Sequence, residues 1–175
     1  MNNPSIGSFS NVNVAAAVAS GDIQTLIQMV QSDRVKLMDA QLVEQVKAVQ
    51  ARNDQIAKLN EVLAGLNGFN SKIEGKDSGD KIEDGDTAKE YAKPANDAIA
   101  AAGITDLKLS KDSTKGEIET AITKIKGMID AESNNQQMDM LRLQSLNNKK
   151  NESVEILTTT QKKSNDSNSG IIRNF

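Results

Sequence analysis

The chain of 175 residues carries 24 acidic side chains and no histidine or cysteine. That sets what chemistry its residues can do. Thiolate and imidazole metal sites, disulfides, cysteine nucleophiles and histidine bases are all excluded. Carboxylates remain, and the stretch Glu74–Glu90, "EGKDSGDKIEDGDTAKE", gathers them most densely. An EF-hand would need oxygen ligands at fixed loop positions. Asp80, Asp84 and Gly85 suit positions one, five and six, but Ile82 falls at position three. Tyr91 stands where the bidentate Glu belongs. The stretch therefore reads as a solvated loop. No cofactor, no metal and no enzymatic activity are expected.

Charge and hydropathy narrow the class further. The net charge is −3, with Lys and Arg dispersed among Asp and Glu. Nucleic-acid binding wants a concentrated basic face. The longest basic runs here are the pairs Lys149-Lys150 and Lys162-Lys163, so no nucleic-acid partner is expected. No run approaches the roughly 20 apolar residues that span a bilayer. The first 20 residues are rich in Asn and Ser, and no Lys or Arg precedes Arg34. They lack the charged region of a cleaved signal and read as a disordered or loosely packed leader, 1–20.

These side chains must be positioned by helices. Aromatics are 2% of the chain, with no Trp, one Tyr and three Phe. A core of aliphatic side chains suits long helices packed side by side. Ser20-Gly21-Asp22 offers a helix start, and no Pro or Gly follows until Gly65. A helix from Ile23 to Leu66 would be roughly 65 Å long at about 1.5 Å per residue. Val35, Leu42, Val49, Ile56 and Leu63 repeat every seven, and Val46 is taken as the complementary row of a coiled coil. Glycines then break the pattern, giving an insert over 68–113. Within it Ala95–Ala102 suits a short helix ended by Gly103, and "ITDLKLS" a short strand or irregular segment. Thr114 and Glu117 form a capping-box pattern ahead of Ile118, Ile122, Ile125 and Ile129. After the polar stretch "ESNNQQ" the seam resumes at Met138, Leu141, Leu143 and Leu146, then Val154 and Leu157.

The expected fold is mainly α. Two long antiparallel helices, 21–67 and 114–166, form a coiled-coil hairpin with the small insert between them and a C-terminal tail, 167–175. A hairpin gives each helix one partner. Leu26, Met29, Met38, Leu59, Met140 and Leu146 are left to other faces, so self-assembly into a homo-oligomer is expected. Asn53 and Asn60 share the row of Val46. Polar residues there would fix register at some cost in stability. They would meet either the partner helix of their own hairpin or a neighbouring subunit. The block Asn134-Asn135-Gln136-Gln137 would face that zone or solvent. Ile171, Ile172 and Phe175 close an otherwise polar tail. They would dock on their own hairpin or on a neighbour.

The two long helices carry a resemblance. Ala121-Ile122, Asn134-Asn135-Gln136-Gln137, Met138–Leu146 and Ser169-Gly170-Ile171 resemble the C-terminal helix of EspA-like type III secretion filament proteins. Val49-Gln50, Arg52-Asn53, Gln55-Ile56 and Leu59-Asn60 resemble a phrase in the first helix of related filament and needle-tip proteins. The resemblance covers both long helices, and the insert matches no family. It implies a secreted subunit at the bacterial surface, exported without a cleaved leader. It also implies assembly as a filament or tip complex joining the needle subunit to translocator proteins. The host membrane would be reached only indirectly, and a cytosolic secretion chaperone would hold the helices before export. The other reading is a cytosolic coiled-coil adaptor or chaperone.

Overall fold

The structure is a computed structural model that describes residues 18–19, 23–73, 75–81, 86–110 and 112–173. The side chains of 86–89, 91 and 167–173 fall outside that description. Also outside it are most of the leader, the start signal Ser20-Gly21-Asp22, and Asp84 and Gly85 of the carboxylate loop.

The chain is mainly helical, and its two long helices pack against each other as a hairpin. Helix α1 spans Ile23–Lys72, α2 spans Asp86–Ala101 and α3 spans Lys115–Arg173. Among the described residues no strand forms, and an isolated bridge joins Lys81 and Thr114. Two compact units result. The terminal unit comprises Met1–Gln45 and Arg142–Phe175, and the central unit Val46–Leu141.

The central unit owns the apolar core. One buried cluster lies wholly between Leu59 and Ile125, drawn from all three helices and from Leu109. Helix α1 runs past Gly65 and Gly68, which were expected to end it. Gly65 serves a close approach instead: a Cβ there would stand 3.0 Å from the Ala95 Cα of α2. Leu66, Phe69 and Ile73 carry the seam onward, each buried. Helix α2 begins before the expected Ala95 and holds Pro94 in its interior. An interior proline costs a hydrogen bond. Here burial of Ala95, Ile99 and Ala102 on the core outweighs that loss.

The short elements end as their chemistry requires. Gly103 takes φ +74° and closes α2 in a Schellman motif. Its N–H donates to the Ala100 carbonyl at 3.0 Å, and the Ile104 N–H to Ile99 at 3.1 Å. Segment 104–110 is irregular rather than a strand. Its backbone finds a side chain instead: the Asn96 amide donates to the Leu109 carbonyl at 2.9 Å and accepts from the Leu109 N–H at 2.8 Å. Thr114 and Glu117 form the capping box reciprocally, at 2.9 and 3.3 Å. Helix α3 continues through Arg173, past the expected end at 166. Ser and Asn disfavour helix by less than about 0.7 kcal/mol each and Gly by about 1 kcal/mol, and extending a formed helix adds a hydrogen bond for each residue fixed.

Candidate assembly surface and the polar layer

The inner face of α1 consists of two rows. Val35, Leu42, Val49, Ile56 and Leu63, all half-buried, form the first, as the heptads predict. The second is Met38, Gln45, Arg52, Leu59, Leu66 and Ile73, three residues on from the first. Val46, taken from sequence as the complementary row, is 43% exposed. Asn53 and Asn60, which share its row, are exposed too. This corrects the assigned seam by one position. The cause is geometric: seams alternate steps of three and four, and the step after Leu42 is three. Met38 and Leu59, assigned to outer faces, are therefore buried.

Helix α3 answers with two rows of its own. Ile118, Ile125, Glu132, Asp139, Leu146 and Ser153 form one, and Ile122, Ile129, Gln136, Leu143, Lys150 and Leu157 the other. Every one of these is buried or half-buried. Of the ten α3 residues expected in the seam, Ile118, Ile122, Ile125, Ile129, Leu143, Leu146 and Leu157 are there. Met138, Leu141 and Val154 are not, being exposed. At "ESNNQQ" the seam becomes polar, with Glu132 and Gln136 holding its rows and Asp139 following them.

In the central unit these polar side chains meet. Arg52 Nε donates to Asp139 Oδ2 at 2.8 Å, and Nη1 to Glu132 Oε2 at 2.5 Å. The two acids stand seven residues apart, so a single guanidinium fork reaches both across the seam. Those bonds, to Asp139 first and then Glu132, hold Arg52 above its ordinary pKa. A raised pKa means that its contribution is complete below the ordinary value and is lost only at higher, strongly alkaline pH. Beside this clamp, Gln136 Nε2 donates to Asn53 Oδ1. Asn53 thus reaches the partner helix of its own hairpin from the rim. Asn60 does not: its amide donates to the Ile56 carbonyl one turn back, at 3.0 Å. Asn134, Asn135 and Gln137 face solvent.

The polar residues that specify this seam are therefore Arg52, Glu132 and Asp139. Removing only the arginine leaves two half-buried like charges without the cation that stands between them. Arg52→Leu is expected to lower the melting temperature. Adding Glu132→Leu and Asp139→Leu is expected to restore it to the wild-type value or above. A single mutant as stable as the wild type in calorimetry would show that the clamp contributes nothing.

A second apolar stripe points outward from α1 in the terminal unit. Ile23, Ile27, Val30 and Leu37 step by four, three and seven, and are 68, 38, 61 and 56% exposed. The row Ile23, Val30 and Leu37 lies on the side of the helix away from the inner rows. Sequence reasoning missed it because the inner heptads dominate the pattern, although Ile23, Val30 and Leu37 are themselves seven apart. On α3, Met138, Met140 and Leu141 of the central unit are also exposed. Ile171, Ile172 and Phe175 fall outside the described side chains, and Phe175 is outside the description altogether.

Among the described residues no three carboxylates converge on a metal position. A shallow groove lined by Gly116, Thr120, Thr123 and Gly127 of α3 lies open on the helix surface. Among the described residues no helix is long and apolar enough to cross a membrane. The described residues give α1 and α3 a clamped polar layer at Arg52 and leave an apolar stripe of α1 exposed. No family model, no curated protein and no solved structure matches the chain.

Proposed function

We propose that this protein is a non-enzymatic structural subunit of a bacterial type III secretion apparatus. It polymerises outside the cell as a filament or needle-tip complex and connects the needle to the translocon at the host membrane. The observation that carries the reading is the outward stripe Ile23, Ile27, Val30 and Leu37. Its heptad spacing matches what a further helix would need, and its own hairpin leaves it uncovered. The resemblance of both long helices to EspA-like proteins supplies the setting. The partners are further copies of the chain, the needle subunit, translocator proteins and a secretion chaperone in the producing cell.

The test is assembly and export together. Negative-stain images at rising concentration should show filaments or closed rings, with light scattering that grows with concentration. Removing residues 1–20 should stop export through a type III apparatus. A single dimeric species whose size does not grow, with export unaffected, would instead identify a cytosolic coiled-coil adaptor.

A further inference from the structure

We infer that the terminal unit opens as a cooperative element while the central unit stays folded. This does not rest on the proposed assembly, because it concerns the single chain.

The two units bury very different side chains. In the central unit a continuous apolar cluster joins α1, α2 and α3. In the terminal unit, among the described residues, the one apolar side chain buried to that degree is Met38. The other buried positions there are Gln45 and Ser153. The Ser153 hydroxyl is turned into its own helix and donates to the Lys149 carbonyl at 3.0 Å. Thr158 and Thr160 do the same one turn back, a bond that weakens helices rather than joining them. Gln31 presents a buried Oε1 with no protein partner. The ion pair Lys150–Asp39 is 31 and 50% exposed, and such pairs contribute little to stability.

Local opening follows the density of buried apolar contact. Val35, Leu42, Leu143, Leu146 and Leu157 are only half-buried in the terminal unit, so separating its two segments exposes little new apolar surface. The same separation in the central unit would strip α2 of its support and expose Phe69, Leu66 and Ile118. The terminal segments are thus the part of the chain whose inner seam is released first.

Hydrogen exchange on the full chain tests this, at a dilution where light scattering gives the monomer mass. Amides in 23–45 and 142–166 should exchange about 100-fold faster than those in 56–73 and 115–130, after correction for intrinsic rates. Gln31→Leu, which replaces a buried unpartnered amide oxygen by an apolar side chain of similar size, should slow the first set about tenfold and leave the second unchanged. Equal protection of the two sets in the wild type would overturn the inference. So would a variant that slows both sets alike, or neither. Failure to assemble leaves the monomer measurement intact, so the two proposals fail separately.

Discussion

Phe69→Ala lowers the unfolding free energy of the central unit by about 3–5 kcal/mol, the usual cost of deleting a buried ring. Phe69 is 2% exposed and lies in the cluster that α1, α2 and α3 share. The chain has three phenylalanines, one tyrosine and no tryptophan. Among the described residues the cluster holds no second ring with which to fill the hole. Collapse is further limited by Gly65, where a Cβ would stand 3.0 Å from the Ala95 Cα, so α1 and α2 are already close. Domains of this size have about 5–15 kcal/mol in total, so the loss is a large share of what holds α2 in place. Urea unfolding followed by circular dichroism measures it. The control is Leu37→Ala, at an exposed position, which should change stability by no more than about 0.5 kcal/mol. A Phe69→Ala loss below about 1 kcal/mol would mean that the cluster is not the tight core the burial describes.

Under the proposed assembly, Val30→Glu with Leu37→Glu abolishes association and leaves the fold alone. Both side chains are more than half exposed, so the helix loses no buried contact, and the melting curve should be unchanged. In an interface between copies the same patch is used repeatedly, and each new carboxylate meets like charge or an apolar surface. Burying an unpaired carboxylate is costly enough to remove a contact of this size. Light scattering that stays at the monomer mass across the concentration range is the expected result. Filaments or rings that persist would place the contact elsewhere on the molecule. A shifted melting curve would show instead that the stripe is structural.

These two tests separate a side chain that the fold buries from two that it leaves exposed. The legibility of the sequence divides in a similar way. The heptads of Val35 through Leu63 and the isoleucine steps of Ile118 through Ile129 were readable, because burial on one face imposes a period of seven. The capping box at Thr114 and Glu117 and the helix stop at Gly103 were readable for local reasons. Each is satisfied by backbone groups within a few residues of itself. The same pattern misled at Val46. Either flanking row can complete a heptad, and Leu59, Leu66 and Ile73 were the signal that picks the right one. Gly65 and Gly68 were read as breaks because a missing Cβ weakens an isolated helix. A glycine that lets another helix approach looks identical in sequence.

The sequence by itself determined the class. With no cysteine or histidine, few rings and long unbroken helix formers, little other than paired aliphatic helices could bury the apolar side chains. Tertiary structure alone decided which polar residues belong to the seam. Arg52, Glu132 and Asp139 are ordinary surface types, and each would be solvated on a lone helix. They become a clamp only because the pairing of α1 with α3 sets one guanidinium between two carboxylates. Asn53 and Asn60, seven residues apart and alike in sequence, end differently for the same reason. One lies within reach of Gln136, and the other turns back to its own helix. A heptad shows that a face will be covered. Which side chains meet there depends on distances between residues about 80 positions apart, and no local pattern encodes those.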